Sequence, residues 1–141
     1  MGGRLEGVHA LVVDDDPDIL AGIEIALRTE GATTETARDG AAAIRAVSQR
    51  TPDLVVLDVM LPAASGFVVL EKIRALPDAP PVIMVTANQG RRHATYAEGL
   101  GASAYFYKPV PLARLLERAV ELVNADEQED DGDDSESDRS G

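Results

Sequence analysis

Residues 53–62 read Asp-Leu-Val-Val-Leu-Asp-Val-Met-Leu-Pro. The four consecutive apolar residues at 54–57 predict a β-strand that is buried on both faces, as the strands of parallel sheets are. This strand places one carboxylate, Asp58, at its C-terminal end, which is the edge where open α/β sheets bind ligands. A carboxylate at that edge can bind a metal ion, act as a base, or act as a nucleophile that accepts a phosphoryl group.

Similar patterns alternate along the rest of the chain. They predict four further strands, over 8–13, 32–37, 82–85 and 102–107, and five helices, over 17–30, 41–50, 67–74, 88–100 and 111–123. Right-handed crossovers between such units produce a parallel sheet with helices on both faces. We therefore predict an α/β fold of the flavodoxin-like kind, a doubly wound five-stranded parallel sheet, (βα)5, with strand order 2-1-3-4-5. The second strand is only weakly hydrophobic, which favours an edge position.

Composition limits the class of protein. The chain has no cysteine, so it has neither disulfides nor thiolate metal sites. The N-terminus lacks a hydrophobic signal core, and no apolar run approaches the ~20 residues that span a bilayer. We expect a cytoplasmic protein with no membrane partner.

Charge is distributed unevenly. Residues 124–141 hold nine of the 25 acidic residues and one of the 13 basic residues, which leaves 16 acids, 12 bases and a net charge of −4 for residues 1–123. Without a basic stripe, the folded part is not expected to bind nucleic acid. We predict an N-terminal extension over 1–7, one domain over 8–123 and an acidic disordered tail over 124–141, which leaves no room for an output domain after Val123.

Carboxylates from two strand ends are predicted to meet at one point. In the order 2-1-3-4-5 the chain reverses direction between strands one and three, so Asp14, Asp15 and Asp58 lie at the topological switch point. Three such carboxylates repel one another unless a cation neutralises them, and an all-oxygen set favours Mg²⁺. Thr86 and Lys108, at the next two strand ends, would complement the oxygens of a phosphoryl group.

Four motifs together resemble the receiver domain of two-component response regulators. They are Val-Val-Asp-Asp-Asp-Pro at 12–17, the stretch at 53–62, Met-Val-Thr-Ala at 84–87 and Gly-Ala-Ser-Ala-Tyr-Phe-Tyr-Lys-Pro at 101–109. The resemblance covers about residues 8–123 and implies the same strand order. It also implies that Asp58 is the phosphoacceptor, which receives a phosphoryl group from a sensor histidine kinase or a histidine phosphotransfer protein.

The family's other site residues carry over by position. The resemblance implies that Mg²⁺ is held by Asp14, Asp15, Asp58 and the carbonyl of Met60.

The resemblance implies four further features of the site and its output. Thr86 and Lys108 would bind the phosphoryl oxygens, and Tyr105 would act with Thr86 as an aromatic switch. The bond between Lys108 and Pro109 would be cis. Signal output would be a phosphorylation-dependent surface of helix four, strand five and helix five that binds a target protein, or onward transfer of the phosphoryl group.

Two other functions share these residues. An aspartate-nucleophile phosphohydrolase usually has a second acid two residues after the nucleophile, but that position is Met60, so we expect a signalling domain rather than an enzyme. A phosphate-independent adaptor would keep the fold and lose Asp58, Asp15 or Lys108, and all three are present. We therefore favour a stand-alone response regulator.

Overall fold

The computed structural model describes residues 3–87 and 91–131, and within them five strands alternate with five helices. In chain order the elements are β1 (His9–Val13), α1 (Pro17–Thr29), β2 (Thr33–Ala37), α2 (Gly40–Gln49), β3 (Leu54–Asp58), α3 (Gly66–Arg74), β4 (Val82–Thr86), α4 (Arg91–Gly99), β5 (Ala104–Tyr107) and α5 (Leu112–Asp131). The strands form one parallel sheet in the order β2-β1-β3-β4-β5. The predicted fold class is confirmed, and β2 lies at an edge.

Side-chain alternation along the strands divides the core into two layers. Leu54 and Val56 of β3 face α1 and α5, whereas Val55 and Leu57 face the layer that includes α2, α3 and α4. Every residue of β3 is buried, as the apolar run predicted. Because both faces are covered, the chemistry of the sheet is confined to its edges and strand ends.

Helix starts follow local capping chemistry. The side chain of Asp16 accepts hydrogen bonds from the backbone N–H groups of Asp18 and Ile19, and Pro17 occupies the first turn of α1. Asp39 and Ser65 cap α2 and α3 in the same way. These caps fix where each helix leaves the loop that joins it to a strand.

Structure extends beyond both bounds of the predicted domain, 8–123. Residues 1–7 were predicted to be an extension, and within them Leu5 is fully buried and packs in the layer that contains α1 and α5. Helix α5 was predicted to end at Val123, but it continues to Asp131. Residues 124–131 contain Ala, Glu and Gln, which favour helix, and no glycine or proline. The rest of the predicted tail lies outside the described residues, as do residues 88–90 of the predicted fourth helix.

Candidate functional site

Strand register brings the predicted site residues to one end of the sheet. Val13 pairs with Leu57, so Asp14 and Asp58 come next to each other at the C-terminal ends of β1 and β3. Thr86 ends β4 and pairs with Tyr107, the residue before Lys108. The residues at or directly after the ends of four neighbouring strands therefore lie at the same crevice.

Three carboxylates are close enough to share one cation. One oxygen from each of Asp14, Asp15 and Asp58 lies within 4.8 Å of the others. Asp14 and Asp58 are 2% and 3% exposed, whereas Asp15 is exposed to solvent. Such a set of carboxylate oxygens fits a hard divalent ion, which would leave part of its coordination sphere open to the solvent side.

Lys108 is the positive group inside the cluster. Its Nζ lies 2.8 Å from Oδ2 of Asp14 and 3.3 Å from Oδ2 of Asp58. One ammonium against three carboxylates leaves an excess of two negative charges when all are ionised, which matches the charge of a divalent cation. The donor set therefore fits Mg²⁺ in both chemistry and charge.

Backbone N–H groups also orient the two buried acids. The N–H of Asp16 donates to Oδ1 of Asp14 at 3.0 Å, and the N–H of Met60 donates to Oδ1 of Asp58 at 3.2 Å. Both are bonds from two residues further along the loop, so each loop turns its own carboxylate towards the crevice. Met60 itself is 58% exposed.

The closeness of these charged groups shifts the pKa values of Asp58 and Lys108. Burial and the charge of Asp14 raise the pKa of Asp58, although Lys108 and the Met60 N–H oppose this shift. Burial alone would lower the pKa of Lys108, but its hydrogen bond to Asp14 and the charges of Asp58 and Asp14 raise it overall. Lys108 is therefore held in its charged form, while the ionised form of Asp58 is disfavoured.

The two predicted switch residues lie beside this cluster. Thr86 is fully buried, and its carbonyl accepts a hydrogen bond from the N–H of Lys108 at 2.8 Å. Tyr105 is half-buried, and its ring packs edge-on against Tyr107 with centroids 5.6 Å apart. Its hydroxyl is buried and has no hydrogen-bond partner among the described residues. The peptide bond between Lys108 and Pro109 is cis.

One residue at the rim was not predicted from the sequence. Arg38 follows β2, and its Nη2 donates to the carbonyl of Asp15 at 3.2 Å. The available signal was its position one residue past the strand that pairs with β1. An exposed arginine before an Asp-Gly turn is common enough on a protein surface that this position alone did not distinguish it.

Sequence comparison identifies the family of this α/β domain. A family model described as the response regulator receiver domain matches residues 10–120. The chain belongs to this family. Receiver domains of this family are signalling domains of two-component systems, and the sequence prediction of the family is confirmed.

Curated relatives of this receiver domain are longer proteins. It is 38% identical over 115 residues to the transcriptional regulatory protein PrrA of Mycobacterium tuberculosis, covering 82% of this chain and 49% of the relative. It is 40% identical over 116 residues to the probable transcriptional regulatory protein TcrX of the same species, covering 82% and 50%. The chain thus spans about half the length of these curated relatives.

Solved structures give the same result over nearly their whole length. A CheY-like response regulator receiver domain protein from Methanospirillum hungatei matches with a TM-score of 0.80 and 33% identity, covering 89% of this chain and 98% of that chain. The receiver domain of Francisella response regulator 1452 matches with a TM-score of 0.79 and 27% identity, covering 84% and 98%.

Among the described residues of this chain, none of the helices has both the length and the apolar character needed to cross a membrane.

Proposed function

We propose that Asp58 accepts a phosphoryl group from the histidine of a sensor histidine kinase or a histidine phosphotransfer protein. The observation that supports this most strongly is a buried carboxylate at the end of β3 with an ammonium 3.3 Å away and two further carboxylates beside it. An aspartate that only ends a strand does not need an ammonium and further carboxylates beside it. A nucleophile that must carry a dianionic phosphoryl group needs positive charge nearby, from the ammonium and from a cation bound by the carboxylates.

The transfer is an in-line substitution at phosphorus. A carboxylate oxygen of Asp58 forms the new O–P bond as the P–N bond of the phosphohistidine breaks, and the imidazole leaves. Asp14, Asp15, Asp58 and the carbonyl of Met60 would hold Mg²⁺, whose positive charge would offset the negative charge of the phosphoryl oxygens. Asp58 is held in place for attack by its hydrogen bond from the Met60 N–H.

Lys108 has to change partners during this reaction. In the structure its ammonium bonds to Asp14 and Asp58. Once Asp58 carries the phosphoryl group, the ammonium is within reach of the new oxygens, and the hydroxyl of Thr86 is the second donor at the same strand ends. These two side chains would therefore change their contacts when Asp58 is phosphorylated.

Signal output would then pass through Tyr105 to the surface of α4, β5 and α5. Thr86 and Tyr105 lie on adjacent strands, and Tyr105 contacts Tyr107, which is partly exposed on that surface. Phosphorylation would shift a two-state equilibrium of this surface and so change its affinity for a target protein, or the group would pass onward in a relay. The names of the relatives, transcriptional regulatory proteins, apply to chains about twice as long, and the stand-alone arrangement stays a prediction.

Small-molecule labelling tests the central step. Acetyl phosphate with Mg²⁺ should label the wild type in a shift-gel assay, and Asp58→Asn should abolish the labelled band. Asp78→Asn, an exposed acid away from the crevice, is the matched control and should label like the wild type. Full labelling of Asp58→Asn would rule out Asp58 as the acceptor. A variant that cannot be labelled but still binds its target protein fully would favour the phosphate-independent adaptor.

A further inference from the structure

The turn from the last residue of β2 to the first residue of α2, residues 37–40, contacts the loop that contains Asp14 and Asp15 and the loop that follows Asp58. The carbonyl of Ala37 accepts a hydrogen bond from the N–H of Asp14 at 3.1 Å. The N–H of Gly40 donates to the carbonyl of Pro62, in the loop after Asp58, at 3.0 Å. This short turn therefore bridges the β1–α1 loop and the β3–α3 loop across the rim of the site.

Gly40 makes the contact with the second loop unusually close. A Cβ added to Gly40 would lie 2.2 Å from the carbonyl oxygen of Ala64 and 2.6 Å from its Cβ. Because these distances are too short for any side chain, the backbones of the turn and the β3–α3 loop are in direct contact. A displacement of the turn would therefore be transmitted to the loop that follows Asp58.

Arg38 makes the third contact, to the loop that carries Asp15. Asp14 is buried and is held by Lys108 and by the N–H of Asp16. Asp15 is exposed, and its backbone carbonyl receives the guanidinium of Arg38 at 3.2 Å. This bond ties the exposed member of the carboxylate cluster to a different part of the chain.

We infer that Arg38 is a positioning residue for the divalent cation site, which it serves by holding the β1–α1 loop so that Asp14 and Asp15 face Asp58. The inference rests on the proposed function, because the cation is part of it. Arg38 acts through the carbonyl of Asp15 and not by contact with the cation or the phosphoryl group. Residues that orient metal ligands in this way commonly affect metal affinity when they are removed.

The direction in which Mg²⁺ affinity changes when Arg38 is replaced distinguishes a positioning role from a purely electrostatic one. A cationic side chain near a cation site repels the ion, so loss of that charge alone would tighten Mg²⁺ binding. Loss of a positioning hydrogen bond has the opposite effect, since the loop must then be ordered when the ion binds. The direction of the change in Mg²⁺ affinity is therefore diagnostic.

The test is calorimetric titration of the full chain with Mg²⁺. Arg38→Gln should weaken binding by about tenfold, the lower end for a residue that orients metal ligands, because the bond is exposed to solvent. Arg45→Gln, which removes an exposed arginine of α2, changes the net charge equally and should leave the affinity unchanged. Arg38→Lys keeps a charged donor and should restore most of the affinity.

Two further readouts make the result decisive. Urea unfolding in EDTA should give the same midpoint for Arg38→Gln and the wild type, since a lower midpoint would make Arg38 a general stabilising residue and overturn the inference. Unchanged or tighter Mg²⁺ binding by Arg38→Gln would also overturn it. Acetyl phosphate labelling of Asp58→Asn, run in parallel, reports failure of the proposed function separately, because it does not depend on Arg38.

Discussion

The ammonium of Lys108 lies 2.8 Å from Oδ2 of Asp14, closer than its 3.3 Å contact with Asp58. In the absence of a phosphoryl group, this lysine is therefore mainly a counter-ion for the acid on the neighbouring strand. A cation bound by the three carboxylates would neutralise the same negative charge as the ammonium. The lysine and the cation therefore compete for the carboxylates.

Removal of Lys108 should therefore strengthen cation binding while it weakens the fold. Lys108→Met leaves two buried carboxylates without their ammonium, which should lower the free energy of unfolding in EDTA by about 2 kcal/mol. It should tighten Mg²⁺ binding and slow labelling by acetyl phosphate. Urea unfolding and calorimetry measure the first two effects. Lys72→Met, on the exposed side of α3, is the control and should change neither.

Asp58 should destabilise the cation-free domain. Its pKa is raised by burial and by Asp14, so between the ordinary value of 3.8 and its value in the fold the native state holds more protons than the unfolded chain. The free energy of unfolding is therefore highest, with respect to this group, when the pH is below both pKa values, and it falls as the pH rises from one pKa to the other. Asp58→Asn should therefore raise the free energy of unfolding near neutral pH and flatten its fall above pH 3.8.

Urea titrations in EDTA at a series of pH values measure this slope. Asp53→Asn is an unsuitable control, because Oδ2 of Asp53 accepts the backbone N–H of His9. Asp78→Asn is exposed and should leave the slope unchanged. A steeper loss of stability with pH in Asp58→Asn than in the wild type would contradict the electrostatic account.

Two glycines should respond in opposite directions to alanine. A Cβ at Gly66 would lie 2.1 Å from the carbonyl oxygen of Asp58 and 2.7 Å from the Cα of Val59, so Gly66→Ala must displace the end of β3. We expect a loss of about 2 kcal/mol or more of unfolding free energy. Gly22 lies within α1 with no heavy atom within 4 Å of its added Cβ, so Gly22→Ala should gain about 0.5 to 1 kcal/mol. Equal urea midpoints for the two variants would contradict this packing.

The hydroxyl of Tyr105 should cost stability in the unphosphorylated state. It is buried and has no hydrogen-bond partner within the described ranges. Tyr105→Phe keeps the ring contact with Tyr107 and removes the unsatisfied group, so it should raise the free energy of unfolding by about 1 kcal/mol. Thermal unfolding measures the effect, and a lower midpoint would show that the hydroxyl has a stabilising partner.

Much of this site could be predicted from the chain alone, because it depends on strand ends. Asp14, Asp58, Thr86 and Lys108 each follow an apolar run directly, and parallel pairing brings such residues together. Arg38 could not be predicted, because its contact depends on how the β2–α2 turn packs against a loop far away in sequence. The starts of the first helices could be predicted to within a residue because capping residues mark them. Neither the burial of Leu5 nor the length of α5 has a distinct local signal.

The most direct test of the central proposal is to locate the phosphoryl group chemically. The wild type would be incubated with acetyl phosphate and Mg²⁺, reduced with borohydride, which converts an aspartyl phosphate to homoserine, and mapped by peptide mass spectrometry. We predict homoserine at position 58 and at no other aspartate, with none formed in EDTA. Homoserine at another position, or an unmodified Asp58 in a sample that carries label, would contradict the assignment of Asp58 as the phosphoacceptor.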